Sequence, residues 1–299
     1  MQIKMLIKKL STKSSKFIKK IKNQGEKMQE DKKGYLYVVA NTKGGVGKST
    51  IASQVMAPYL NVKHGEKVVI TSADDNNKYD ESLSESDILE VKTYGLTDGI
   101  DNAEDLLYDV VQDNKSYILD VEGGNGSAEA IKSICSLELD DHIVFVIPFF
   151  SDKSGIKNMK DTMKAIREHT EESKILLVAN KVQNINNIEN EFLYFYGDED
   201  LEIKGILPEL EADKNIALTP ILSTNVFDLA SESSKTAFEI GEWKVDIDQY
   251  LKDQMAVSKE DYKKAKAFAK IFNQCKQYNQ DVLAEVFKDI DKLIGFSND

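Results

Sequence analysis

A glycine-rich stretch near the start of this chain constrains its fold more than any other feature. It consists of Asn41, Thr42, Lys43, Gly44, Gly45, Val46, Gly47, Lys48, Ser49 and Thr50. The apolar run at 35–40 before it is typical of a β-strand, and the apolar residues that follow at 51–60 recur at helical spacing. A strand, a glycine-rich turn and a helix, in this order, predict a loop that binds phosphate through backbone N–H groups and a helix N-terminus.

Two side chains of this stretch are predicted to act on a nucleotide and its metal ion. Lys48 would reach the β- and γ-phosphates of a nucleotide, and the hydroxyl of Ser49 would bind Mg²⁺. The predicted nucleotide-binding residues are Lys43, Gly44, Gly45, Val46, Gly47, Lys48, Ser49 and Thr50. Thr42 occupies a position where the usual motif has glycine, whereas the variant Lys-Gly-Gly-x-Gly-Lys-Ser/Thr fits completely.

That variant resembles the deviant Walker motif of the ParA/MinD family of dimerising ATPases. The resemblance covers about residues 34–230 and implies a homodimer that forms around ATP. It also implies that Lys43, the first lysine of the motif, contacts phosphates of the nucleotide held by the partner subunit. Lys43 and Lys48 are therefore both expected to act in catalysis.

The rest of the body alternates short apolar runs with helical segments, which predicts an α/β fold with a doubly wound, mostly parallel sheet flanked by helices. The expected strands are 35–40, 67–71, 88–91, 117–119, 142–148, 174–179 and 203–207. After about residue 225 the strand pattern stops, and residues 244–296 predict two or three helices. We expect a basic N-terminal extension at 1–33, an ATPase domain at 34–243 and a helical C-terminal extension at 244–299.

The N-terminal extension differs sharply in charge from the rest of the chain. Residues 1–33 hold eleven lysines against three acidic residues, a balance of +8, so the remaining residues must carry −20 for the total to be −12. Residues 1–22 have eight lysines, no acid and apolar residues at helical spacing, which predicts a basic amphipathic helix. It could contact DNA or an anionic membrane, dock on a partner, or remain a solvated tail. The acidic body argues against a broad DNA-binding face.

Two acidic segments at predicted strand ends are expected to complete the site. Residues 117–119 are apolar and lead into Asp120, which matches the Walker B form in which the acid holds Mg²⁺. Residues 68–76 resemble the switch segment of the family, and Asp74 matches the acid that positions the attacking water, with Asp75 as the alternative. Ser72 stands where the family has the first acid of that pair. Glu122 has no clear counterpart.

Two further residues match base-contacting positions of the family. Asn180 follows a predicted strand and resembles the asparagine that hydrogen-bonds the adenine edge, although a turn asparagine is an equal alternative. Pro208 resembles the following turn, which flanks the base.

These features favour a cytoplasmic ATP hydrolase, weak without a stimulating partner. The two cysteines show no pairing pattern, and no apolar run is long enough to span a bilayer. The resemblance implies partition of a plasmid or chromosome region with a ParB-like adaptor, at the nucleoid or at a membrane surface. Two alternatives remain, a ParA-like accessory ATPase for conjugative transfer or other cargo and a MinD-like, nucleotide-dependent membrane scaffold.

Overall fold

The computed structural model describes residues 33–73, 83–94 and 96–296, without the side chains of 96–102 and 125. Within these ranges seven strands form one parallel sheet with the order β3-β2-β4-β1-β5-β6-β7. The strands are β1 (Leu36–Val39), β2 (Val68–Ala73), β3 (Leu89–Tyr94), β4 (Tyr117–Val121), β5 (Ile143–Phe149), β6 (Lys174–Val182) and β7 (Ile216–Leu222). This confirms the predicted α/β fold with a doubly wound parallel sheet.

Helices cover both faces of the sheet. In chain order they are α1 (Lys48–Ile51), α2 (Ala57–His64), α3 (Leu96–Asp113), α4 (Asn125–Cys135), α5 (Lys153–Arg167), α6 (Ile188–Glu191), α7 (Leu193–Tyr196), α8 (Leu207–Leu210), α9 (Val226–Ser231), α10 (Ala237–Gly241), α11 (Ile247–Val257), α12 (Lys259–Tyr278) and α13 (Ala284–Ile294). A π-helical turn, Ala52–Met56, joins α1 to α2, and a second, Asn279–Leu283, joins α12 to α13. Two 3₁₀ turns lie at Asp140–His142 and Ile185–Asn187.

The central strand β1 shows why the sequence folds into a sheet that is covered on both sides. All four of its residues are buried, and successive side chains enter opposite cores. Leu36 and Val38 pack with the apolar faces of α3, α4 and α5. Tyr37 and Val39 pack with the helices that follow the glycine-rich loop and with the C-terminal helices. Since β1 lies between β4 and β5, the loop after it opens at the crevice where such sheets bind ligands.

The C-terminal helices are part of this packing. Phe268 and Phe272 of α12 and Val286 and Ile290 of α13 belong to the same buried cluster as β1. The hydroxyl of Tyr59, on the helix after the loop, lies 2.9 Å from Oδ1 of Asp291. The predicted helical C-terminal extension therefore covers one face of the sheet.

One strand assignment from the sequence is wrong. Residues 203–207 do not form a strand; Ile203 makes an isolated bridge with Asp198, and α8 begins at Leu207. The strand beside β6 is β7, which the sequence analysis missed. The basic helix expected at 1–22 lies outside the described residues.

Candidate phosphate-binding site

The glycine-rich loop connects β1 to α1 at the crevice, and its shape depends on glycine. Gly45 and Gly47 have φ angles of 74° and 93°, a region that other residues rarely adopt. A β-carbon on Gly47 would also collide with the side-chain amide of Asn180. That amide donates a hydrogen bond of 2.9 Å to the carbonyl of Val46. Asn180, predicted from its strand-end position, thus lies against the loop and lines the cavity beside it.

Asn41 fixes the start of the loop, a function that the sequence analysis did not assign. Its side chain is fully buried; Nδ2 donates to the Pro148 carbonyl at 2.8 Å, and Oδ1 accepts from the Lys43 backbone N–H at 2.8 Å. The hydroxyl of Ser127 donates to the Asn41 carbonyl at 2.9 Å. These bonds tie the loop to β5 and α4, so its backbone is held in place before a ligand binds.

A cavity of about 800 Å³ opens above the loop. It is bordered by loop glycines and by Lys48, Ser49 and Thr50, and the turn 122–124 after β4 forms the opposite wall. Lys48 is only 7% exposed, and its Nζ lies 3.5 Å from the carbonyl of Lys43. A β-carbon on Gly123 would stand 2.8 Å from the Gly44 backbone and 3.1 Å from that Nζ. The close approach of the two segments therefore requires glycine at 123.

Ser49, which lines this cavity, contacts the buried Asp120. The Ser49 hydroxyl donates to Oδ2 of Asp120 at 2.7 Å, and Asp120 is 1% exposed. A hydroxyl beside a carboxylate is the hard-oxygen donor set that Mg²⁺ prefers, so these two residues fit the predicted ion. Ser72 pairs in register with Asp120 on the neighbouring strand. Its buried hydroxyl has no hydrogen-bond partner among the described residues.

The side chain of Lys43 has different neighbours from that of Lys48 and is more exposed. Its Nζ lies 3.4 Å from Oγ of Ser154 and 4.0 Å from Oδ2 of Asp152, at the start of α5. The Lys43 side chain is 36% exposed, and Lys43 is not among the residues that line the cavity. The two lysines of one loop therefore point to different places, Lys48 inward and Lys43 outward.

The remaining wall of the cavity comes from the ends of β6 and β7. Lys181 follows Asn180 with a φ angle of 62°, at a shift in the register between β6 and β7. Ile221, Thr224 and Phe227 are among the lining residues after it. The sequence analysis missed this wall because it missed β7. The sequence signal for this wall would have been the residues that follow β7, the strand that pairs with β6 and ends beside Asn180.

The site can now be compared with known proteins. The family model of the CobQ/CobB/MinD/ParA nucleotide binding domain matches residues 37–219, which include the loop, Asp120 and Asn180. The chain belongs to this family. Its nucleotide-binding domain therefore includes the predicted loop and both ligands proposed for the metal ion.

Two solved structures also resemble this member of the MinD/ParA family. A candidate plasmid partition protein from Borrelia burgdorferi, bound to AMPPNP, is 14% identical, with 81% of this chain and 99% of that chain covered and a TM-score of 0.40. A second plasmid partition protein from Borrelia burgdorferi is 15% identical, with 68% and 96% covered and the same TM-score. A search of curated proteins finds no significant match.

Not every predicted site residue of this MinD/ParA-family chain lies at the cavity. Pro208 is in the first turn of α8, whose Leu207 and Leu210 border a separate cavity beside the start of β7. The structure does not bring Pro208 to the phosphate loop. Asp74 and Asp75 lie outside the described residues. Among the described helices, none is both long and apolar enough to cross a bilayer.

A buried hydrogen bond links the helical segment after the loop to a part of the chain that is distant in sequence. Gln54, in the π-helical turn, is 2% exposed, and its Oε1 accepts the backbone N–H of Ala237 at 2.9 Å. Ala237 begins α10, which Thr236 and Glu239 cap reciprocally. Glu239 in turn accepts from the hydroxyl of Ser86 at 2.9 Å, just before β3. Hydrogen bonds thus connect the π-helical turn after the loop, α10 and the segment that leads into β3.

Proposed function

We propose that this MinD/ParA-family chain is an ATPase that forms a homodimer around Mg·ATP and separates after hydrolysis, driving the partition or positioning of a plasmid or chromosome. One observation carries the proposal, namely the opposite directions of Lys48 and Lys43. Lys48 is buried and lines the cavity, where it would hold a nucleotide in its own subunit. Lys43 extends to the protein surface, where a second subunit can approach.

The main function of the site would be to stabilise the negative charge of the nucleotide phosphates. The backbone N–H groups of 44–49 and the N-terminus of α1 would bind phosphate oxygens, and the Lys48 ammonium would neutralise the β- and γ-phosphates. Ser49 and Asp120 would hold Mg²⁺, which supplies further charge neutralisation when bound. Asn180 bonds the loop from the side and lines the cavity, where it would also contact the base.

Lys43 would act on the nucleotide of the partner subunit. To do so it must leave Asp152 and Ser154, with which it makes only long, solvent-exposed contacts. Exposed ion pairs of this kind contribute about 0–1 kcal/mol, so the side chain can be redirected at little cost. A cation that joins the site only in the dimer would couple dimerisation to phosphoryl transfer.

The other components of the proposal lie outside the described residues. Asp74 would orient the attacking water, and turnover would stay slow until a ParB-like or other adaptor stimulates it. Residues 1–22 would contact DNA or an anionic membrane, because they are the one strongly basic segment of an otherwise acidic sequence. The protein would act in the cytoplasm, at the nucleoid or at a membrane surface.

Light scattering with and without Mg·ATP tests this function. The wild type should double in mass with ATP, whereas Lys48→Ala should remain monomeric because it does not bind the nucleotide. Lys43→Gln should bind ATP with nearly wild-type affinity but dimerise poorly. Lys270→Gln removes an exposed lysine on α12 and should behave like the wild type. Wild-type protein that stays monomeric with bound ATP would refute the proposal.

A further inference from the structure

A second cavity lies away from the nucleotide site. Its volume is about 450 Å³, and it is bordered by the end of α2, the entry to β3, α10 and the second π-helical turn. Four of its residues form an apolar wall: Ile88, Phe238, Trp243 and Phe287. Gly65 and Ile88 flank the start of β2, so this cavity lies near the N-terminal edge of the sheet, whereas the phosphate loop lies at the C-terminal edge.

The rim of this cavity is acidic. Asp87 and Glu242 are exposed at the rim, Glu239 is a buried residue of the lining, and the described lining contains no lysine, arginine or histidine. Lys235 beneath the surface pairs with Asp87 at 2.7 Å and with Glu239 at 3.7 Å. It is 3% exposed, so a single buried positive charge faces two of the three carboxylates, and the net charge stays negative. Glu242 is exposed and accepts a hydrogen bond from Asn279 at 3.2 Å. An occupant with an apolar side and positive charges would fit both features.

We propose that residues 1–22 of the same chain dock in this cavity. They carry eight lysines and no acid, and their apolar residues include Ile3, Ile7, Leu10 and Phe17. The apolar side chains match the wall, and the lysines match the carboxylates of the rim. The opposite charges of the segment and of the rest of the chain, +8 for 1–33 and −20 for the remainder, favour the same contact at longer range.

The linker 23–32 is long enough for residues 1–22 to reach the cavity. The first described residue, Lys33, pairs with Asp141 at 2.6 Å, and two residues later the Tyr35 hydroxyl lies 3.4 Å from the carbonyl of Ile294. Phe287 lies seven residues before Ile294, about 10 Å along the same helical segment. The distance from Lys33 to the cavity is therefore on the order of 20–25 Å, whereas the ten residues 23–32 can span up to about 33 Å.

Docking in the cavity and binding to an anionic surface would exclude each other, because both use the lysines of 1–22. DNA or anionic lipid should thus draw the segment out of the cavity, and salt should weaken both contacts. The acidic cavity would hold the basic segment on the protein until such a surface is present.

Energy transfer in the full-length chain tests the proposal. Trp243 is the only tryptophan of the sequence and lines the cavity, so it serves as a unique donor. Gln2→Cys provides a site for a dansyl acceptor. Burial raises the pKa of both native thiols, Cys135 and Cys275, to about 12, so the label should attach at residue 2. We expect transfer at low salt that falls to the background in high salt, and that duplex DNA also reduces.

Two matched variants separate docking at the cavity from general attraction. Val62→Lys places a positive charge on an exposed rim position and should lower the low-salt transfer roughly threefold. Val257→Lys makes the same change at an exposed position of α11 outside the cavity and should leave transfer unchanged. Only background transfer at low salt in the dansyl-labelled protein that keeps Val62 and Val257, or equal loss in both variants, would overturn the proposal. Transfer that rises with protein concentration would also overturn it, because the segment would then belong to a second copy.

Discussion

The hydroxyl of Ser49 donates a 2.7 Å hydrogen bond to the carboxylate of Asp120, although the two residues are 71 positions apart in the sequence. Ser49 is the second residue of α1, and Asp120 lies near the end of β4, which pairs directly with β1. The parallel pairing brings the two oxygens together beside the cavity that Ser49 lines. The geometry thus links the phosphate loop and the acid that are proposed to hold Mg²⁺.

Asp120→Asn should remove the effect of Mg²⁺ on the affinity for ATP and leave the fold of the loop unchanged. Asparagine can still accept the hydrogen bond from Ser49, but it lacks the charge that a divalent ion requires. We expect the affinity for ATP to become almost independent of Mg²⁺, whereas the wild type should bind at least tenfold more weakly in EDTA, a difference of about 1.4 kcal/mol. Calorimetry of both proteins in Mg²⁺ and in EDTA measures this. An unchanged dependence on Mg²⁺ would show that Asp120 is not a ligand.

Asp74→Ala should bind ATP and accumulate as a dimer that hydrolyses at least tenfold more slowly than the wild type. The substitution is expected to affect only the positioning of water, and a correctly placed general base contributes about 10²–10⁴-fold. Single-turnover hydrolysis and light scattering on the same samples measure both effects. Asp75→Ala serves as the comparison. Normal turnover in Asp74→Ala together with an inactive Asp75→Ala would assign the function to Asp75 instead.

Gln54→Ala should destabilise the protein by about 1–3 kcal/mol. The substitution leaves the buried N–H of Ala237 without its acceptor at the start of α10. Urea unfolding, compared at equal m-value, measures the change in the free energy of unfolding. Gln112→Ala is the matched control, since Gln112 is exposed on α3 and should change stability by less than about 0.5 kcal/mol. Equal effects of the two substitutions would mean that water replaces the lost acceptor.

Asp289→Asn should stabilise the protein at neutral pH and have no such effect in acid. Burial raises the pKa of Asp289 above its usual value, although a 2.7 Å hydrogen bond from Thr219 opposes the rise. The folded state therefore disfavours the charged carboxylate. The free energy of unfolding should fall as the pH rises from the unfolded pKa through the folded pKa of Asp289. Asparagine keeps an acceptor for Thr219 without the charge. The gain should be less than about 1 kcal/mol at pH 7, since the side chain is only half-buried. Urea unfolding of Asp289→Asn and of the wild type should give different free energies of unfolding at pH 7 and equal ones at pH 3.

The parts of the fold and site that the sequence predicted correctly are those with a strong local pattern. The loop, β1 and the apolar run that leads to Asp120 have patterns that depend on few neighbours. The run 203–207 was misassigned because a short apolar segment can belong to a strand or to a helix, and Pro208 is compatible with the first turn of a helix. The true strand β7 contains Pro220, which weakens its strand pattern but is tolerated on an edge strand.

The directions of side chains were beyond the reach of the sequence. Lys43 and Lys48 are five positions apart in one motif, and no pattern shows that one side chain is buried and the other extends to Asp152. That difference depends on the turn 122–124 and on the start of α5, which are distant in sequence. The function of Asn41 and Gln54 was missed for the same reason, because Asn41 donates to Pro148 and Gln54 accepts from Ala237, each more than 100 residues away.

Mixing two inactive variants tests the proposed action of Lys43 across the dimer most directly. Lys43→Gln retains Lys48 and should bind ATP, whereas Lys48→Ala retains Lys43 but should not bind ATP. In a mixed dimer, the nucleotide of the first subunit would meet the intact Lys43 of the second. We predict that an equimolar mixture hydrolyses ATP faster than the sum of the two variants measured separately, and that this gain increases with protein concentration. A mixed dimer that light scattering detects but that hydrolyses ATP no faster than that sum would contradict the account, because Lys43 and Lys48 would then have to act within the same subunit.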